Sequence, residues 1–113
     1  MPDLPYTIDD IRRLYLSKKY VFREHMLDMM AERNISHSEI SQTVQHGEII
    51  EKYPDDKPFP SCLVIGFTIG ERPIHIVCSV DTESERLYMI TTYEPDKAKW
   101  THNFKERIRE GLL

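Results

Sequence analysis

Three β-prone runs within residues 62–95 constrain the fold of this chain more than any other part of its sequence. The runs are rich in β-branched and aromatic residues, and short turn segments at 70–73 and 81–85 separate them. Such residues favour half-buried strands, and strands that are joined by short turns pair with their neighbours in antiparallel order. The stretch therefore predicts an antiparallel meander.

The part of the chain that precedes the meander predicts helices with two N-terminal caps. Thr7 offers a capping hydroxyl followed by acidic residues, and Ser36 begins a Ser-x-x-Glu capping box. Helices are expected from about residue 8, from 24 to 33, and from 36 to about 46. A short β-prone run at 19–23 and a strand at 48–53 complete this part of the chain.

The C-terminal part predicts one more helix. Pro95 suits a first helical turn, and Trp100, Phe104 and Ile108 recur every four residues. The expected fold is therefore α+β, with N-terminal helices packed on a four-stranded antiparallel sheet and with a C-terminal helix. The chain of 113 residues has no repeat or linker, so residues 1–113 are expected to form a single domain.

Composition argues against several classes of protein. No apolar run approaches the roughly 20 residues of a membrane helix, and the N-terminus lacks the pattern of a signal peptide, so we expect a cytoplasmic protein without membrane contact. Cys62 and Cys78 lack metal-ligand spacing, which predicts buried thiols and no metal site. Without a Gly-rich phosphate loop, no cofactor is predicted. A net charge of −4 argues against binding of duplex nucleic acid.

Strand alternation predicts which side chains of the meander face the core. His75 is expected on the opposite, less tightly packed face. The face of Tyr93 stays open, because a slip of one residue in the preceding turn reverses it. The predicted core face comprises Leu63, Ile65, Phe67 and Ile69, paired with Ile74, Ile76, Cys78 and Val80.

An imidazole, a phenol and guanidinium groups around one groove are sufficient for RNA cleavage without a metal. One group accepts the proton of the ribose 2′-hydroxyl, another protonates the leaving 5′-oxygen, and cations stabilise the charged phosphorane. His25 and Arg33 lie on one predicted helix, about 12 Å apart along its axis, where both can line a groove. A hydrogen-bonded structural role for His75 and solvated helix faces for the basic residues are the alternatives.

A loop with three prolines connects the strand at 48–53 to the meander. Proline presets the backbone dihedral angles and removes donors, so residues 54–61 are expected to form a rigid, exposed loop. Such a loop is suited to recognition, and a stiff connector is the alternative.

Several sequence blocks have a combination that is typical of one known family. They are residues 25–35, 47–61, 73–77 and 91–96, together with Gly66 and Trp100. With these blocks the chain resembles the bacterial domain-of-unknown-function family 4258 over about residues 20–105. Members of this family look like compact relatives of RelE-type toxins, which are ribonucleases of the barnase-like fold.

This resemblance implies a toxin-type endoribonuclease that acts on RNA, free or at the ribosome, and is neutralised by an antitoxin protein. It implies catalytic roles for His25, His75 and Tyr93, and substrate binding by Arg33 and Lys57. Met29 departs from the family pattern, which usually has an arginine there. This departure and the acidic net charge favour the alternative, a catalytically inert module of the same fold that binds a protein or a small ligand.

Overall fold

Three helices and five strands lie in residues 3–108, the part of the chain that the computed structural model describes. None of these helices is long and apolar enough to cross a membrane. The overall α+β class is as predicted. The elements are α1 (Ile8–Leu16), β1 (Tyr20–Phe22), α2 (Glu24–Glu32), α3 (His37–His46), β2 (Glu48–Tyr53), β3 (Ser61–Phe67), β4 (Pro73–Asp81) and β5 (Arg86–Tyr93).

Two capping boxes define where α1 and α3 begin. The Thr7 side chain accepts from the backbone N–H of Asp10, and the Asp10 carboxylate accepts from the backbone N–H of Thr7. Ser36 and Glu39 make the same reciprocal pair at the start of α3. Each cap is worth about 1 kcal/mol of helix stability. Both caps were predicted from the sequence and are confirmed.

The sheet has five strands in the order β1-β5-β4-β3-β2, and the prediction of a four-stranded antiparallel sheet is wrong. β1 pairs with β5 in parallel, whereas the other pairs are antiparallel. Backbone bonds from Leu87 N–H to the Lys19 carbonyl and from Arg23 N–H to the Met89 carbonyl hold this edge. β1 was expected as a β-prone run, but three residues carry no pattern that reveals a partner strand.

The predicted C-terminal helix is also wrong within residues 94–108, which form turns and a single bridge between Trp100 and Arg107. Phe104 has a φ of 62°, a left-handed conformation that an α-helix does not contain. The Asn103 side chain accepts from the backbone N–H of Lys105, a local bond that competes with helix formation. The apolar spacing therefore reflects burial against the sheet and not a helical face. We call residues 94–108 the C-terminal cover.

The sheet buries side chains on both faces. The pairing of β3 with β4 places Ile65 opposite His75 and Gly66 opposite Ile74, so Ile65 shares a face with His75 and not, as predicted, with Ile74. The difference arises because the last pair before the turn is Phe67 with Pro73. Any shift by an odd number of residues moves the side chains of one strand to the opposite face of the sheet. The helices cover the face that carries Cys62, Val64, Ile74, Ile76, Cys78, Val80, Leu87 and Met89. The C-terminal cover packs on the other face, where Leu63 and Ile65 meet Trp100 and Phe104.

Close contact between α3 and β3 generates a prediction about stability. A Cβ atom on Gly66 would lie 2.8 Å from Thr43 Cα, a backbone atom that cannot move alone. We expect Gly66→Ala to lower the free energy of unfolding by roughly 1–3 kcal/mol, measured by urea denaturation. Gly70→Ala is the matched control, since its nearest neighbour would be 3.8 Å away. Equal stability of the two variants would contradict this packing.

Candidate functional site

The candidate site lies on the sheet face that the helices leave uncovered. His75 on β4 stands directly opposite Tyr93 on β5, so both side chains project from the same face. The register between β4 and β5 thus resolves the face of Tyr93, which the sequence left open. His75, Val77 and Ser79 alternate along β4 and share this face.

His75 is fully buried beneath the C-terminal cover. Its ring packs edge-on against Trp100, with 4.5 Å between ring centroids. Nε2 lies 2.8 Å from the Phe104 carbonyl oxygen, and Nδ1 lies 3.3 Å from the Tyr93 hydroxyl. Because a carbonyl can only accept, Nε2 carries the proton and Nδ1 accepts from the Tyr93 O–H. The expected loosely packed surface around His75 is therefore absent.

Burial keeps both members of the His75–Tyr93 pair neutral. Desolvation lowers the pKa of His75, although the Phe104 hydrogen bond opposes this shift. Desolvation raises the pKa of Tyr93. Both directions disfavour proton transfer from the phenol to the imidazole. His75 is thus suited to orient Tyr93, whose hydroxyl stays protonated and donates to Nδ1.

An ion pair fastens the end of the C-terminal cover to β2. The Arg107 guanidinium donates to both oxygens of the Glu51 carboxylate, at 2.8 and 3.1 Å, and lies 4.8 Å from the centroid of the Trp100 ring. Tyr53 O–H donates to the same carboxylate. Burial raises the pKa of Glu51, but the bonds from Arg107 and Tyr53 outweigh it and hold that pKa below its usual value. Burial and Glu51 raise the pKa of Tyr53 to about 12.

A cavity of about 360 Å³ opens beside Tyr93. It brings three cationic side chains and two carboxylates around one phenol. We call it the Tyr93 pocket, and it is lined by Arg33, Tyr93, Glu94, Asp96, Lys99, Trp100 and Arg107. Of the residues predicted to form a site, Arg33 and Tyr93 meet in this pocket, with His75 behind Tyr93.

Arg72 fixes two walls of the Tyr93 pocket. Its guanidinium donates to the backbone carbonyls of Arg33 and Asn34, at 2.9 and 2.8 Å. Its Nε donates to the Glu94 carboxylate at 2.7 Å, and its Nη1 pairs with the Glu39 carboxylate at 3.1 Å. The end of α2 and the end of β5 are thereby held together by one side chain.

A second cavity, of about 350 Å³, opens on the same sheet face at the proline-rich loop. Its position follows from Val77 and Ser79, which alternate with His75 along β4. We call it the Lys57 pocket, and it is lined by Arg23, Asp56, Lys57, Pro58, Phe59, Ser61, Val77, Ser79 and Ile90.

The five predicted site residues are therefore divided between several places. His25 is exposed near the start of α2 and lines neither of these two pockets, and Lys57 belongs to a different pocket from Arg33 and Tyr93. Within residues 3–108, no group of three or more His, Cys, Asp or Glu side chains could hold a metal ion. The sequence did not single out Arg72, Glu51 or Arg107 as site residues.

A family model described as Domain of unknown function (DUF4258) matches residues 22–94. The chain belongs to this family. No curated protein and no solved structure matches the chain. The matched region contains β2 to β5 and the last residue of β1, and it ends before most of the C-terminal cover. Asp96, Lys99 and Arg107 lie outside the matched region.

Burial of His75 predicts how stability depends on pH. The folded state holds the His75 pKa below 6.5, the ordinary value expected in the unfolded chain. Below pH 6.5 the unfolded state therefore binds more protons than the folded state. The contribution of neutral His75 to the free energy of unfolding is complete above that pH and is lost as the pH falls towards the pKa of His75 in the folded state. We expect the melting temperature of His75→Gln to fall less between pH 7.5 and 5 than that of the wild type. His46→Gln, at an exposed position, is the control and should keep the wild-type profile.

Proposed function

We propose that this protein is a toxin-type, RNA-directed domain that binds single-stranded RNA across the Tyr93 and Lys57 pockets and cleaves it without a metal. One observation carries the proposal. The Tyr93 pocket gathers Arg33, Lys99 and Arg107 around a phenol that burial keeps protonated. Cations of this kind bind phosphate oxygens and stabilise the charge that develops on phosphorus.

The side chains of the Tyr93 pocket suit the two proton transfers of RNA cleavage. A carboxylate of Glu94 or Asp96 takes the proton of the 2′-hydroxyl, whose oxygen then attacks phosphorus. Tyr93 turns its O–H away from His75 Nδ1 and gives the proton to the leaving 5′-oxygen, so the products are a 2′,3′-cyclic phosphate and a free 5′-hydroxyl. The phenol suits this role because an alkoxide is a far stronger base than a phenolate. In this scheme His75 holds the ring of Tyr93 in place and does not exchange protons with RNA.

The net charge of −4 is a property of the whole chain and does not measure the charge of the groove that would bind RNA. Phosphate binding depends on the cations that line the groove, and these are concentrated on one face. The resemblance to RelE-type toxins adds an expected antitoxin partner, which would neutralise the protein by covering this face.

A catalytically inert binding module is the second candidate, and two observations favour it. Both ring nitrogens of His75 are engaged inside the protein, and Glu51 neutralises Arg107 in a bidentate pair. Met29 also replaces an arginine that the family pattern usually has. Under this alternative, the two pockets bind a ligand and no bond is broken.

The two candidates predict different results with Tyr93→Phe. If Tyr93 donates a proton, removal of its hydroxyl should slow RNA cleavage in EDTA by about 10²- to 10⁴-fold while RNA binding persists, because the ring and the cations remain. Tyr88→Phe removes a hydroxyl elsewhere on the same face and is the matched control. Cleavage and binding are measured by gel electrophoresis and fluorescence anisotropy.

Three outcomes decide between the candidates. Cleavage that is slowed in Tyr93→Phe but not in Tyr88→Phe supports the proposal. Wild-type binding without cleavage supports the inert module. Wild-type protein that neither binds nor cleaves RNA at low salt contradicts the proposed function.

A further inference from the structure

We infer that the Lys57 pocket holds one nucleobase of the RNA strand, and that this base carries an exocyclic amino group. The inference rests on the proposed function, because it names what the strand places beside the Tyr93 pocket. The pocket volume, about 350 Å³, lies within the usual range of sites for small ligands.

A flat aromatic platform forms one side of this pocket. Phe59 lines the cavity and stacks on Tyr88, with 5.5 Å between ring centroids and 7° between ring planes. Arg23 also lines the cavity, and its guanidinium lies 4.8 Å from the centroid of the same Tyr88 ring. Stacked rings and a guanidinium plane are the surfaces on which unpaired bases stack in proteins that bind single strands.

Polar groups at the wall select the chemistry of the base. Ser61 O–H donates to Asp56 Oδ2 and so orients the carboxylate. An ionised carboxylate can only accept, which matches the amino groups of cytosine, adenine and guanine. Uracil has no amino group. The side chains of Ser61 and Ser79 lie at the buried end of the cavity and add hydroxyls that can donate or accept.

Cations at the rim provide for the phosphates on either side of the base. Arg23 and Lys57 both line the cavity, and the Lys57 side chain is exposed. Ser79 and His75 lie four residues apart on β4, which is about 13 Å at the usual rise. A strand of a few nucleotides can therefore occupy the Lys57 pocket and reach Tyr93.

The experiment compares labelled oligocytidylate and oligouridylate by fluorescence anisotropy over a range of salt concentrations. Wild-type protein should bind oligocytidylate about tenfold more tightly, because only cytosine has an exocyclic amino group that can donate to Asp56. Phe59→Ala should weaken binding of oligocytidylate by roughly five- to a hundredfold through loss of stacking. Phe59→Tyr should restore most of that affinity. Lys57→Ala should weaken binding of both strands equally and reduce the salt slope by about one.

Two further variants complete the design. Asp56→Asn should shrink the preference for cytidylate, since an amide also donates to the carbonyls of uracil. Arg13→Ala removes a cation from α1, away from both pockets, and should leave both affinities unchanged. Circular dichroism checks that each variant is folded.

The outcomes separate this inference from the proposed function. Wild-type protein that binds neither strand overturns both. Wild-type protein that binds both strands equally, or Phe59→Ala with wild-type affinity, overturns the base pocket alone and leaves the RNA-directed function standing.

Discussion

The hydrogen bond from His75 Nε2–H to the Phe104 carbonyl is the interaction on which the rest of the candidate site depends. It joins the middle of the sheet to the C-terminal cover, and Trp100 shields it from water. A buried, neutral imidazole that satisfies a backbone carbonyl is stable only while the cover stays closed. The same ring holds Tyr93 through its second nitrogen. One side chain thus determines both the packing of the cover and the position of the phenol.

The cover shapes the sheet face by leaving two parts of it open. Arg107 and Glu51 anchor the cover over β2, so the Tyr93 pocket remains at the end of β5 and the Lys57 pocket remains at the proline-rich loop. Arg72 closes the gap between α2 and the end of β5. The site is therefore assembled from ion pairs and one buried imidazole, and its polar groups converge from distant parts of the chain.

Local signals in the sequence predicted most of the elements. Both N-caps, the strand at 48–53 and the meander depend on residues that lie only a few positions apart in the sequence. The errors concern contacts between residues that are farther apart in the chain. The pairing of β3 with β4 differs from the predicted one by an odd number of residues, which places Ile65 and Ile74 on opposite faces although one shared face was expected. Trp100 and Phe104 have helical spacing, yet the segment is not a helix, and both side chains are buried with Leu63 and Ile65 of the sheet.

The same limit applies to the candidate site. His75, Tyr93 and Arg33 are residue types that attract notice in any sequence, and two of them meet in one pocket. Arg72 lies in a turn and Glu51 lies on an edge strand, and no local pattern predicts that either would organise a site. Their roles follow from tertiary contacts with residues far away in the chain.

The most direct test of the account is an NMR titration of the isotope-labelled protein with short single-stranded RNA. The account predicts that chemical shifts change for the side chains of Tyr93, Trp100, Phe59 and Tyr88, which line the two pockets or stack on their walls. Shifts confined to α1 and α3, or none at saturating RNA, would contradict it.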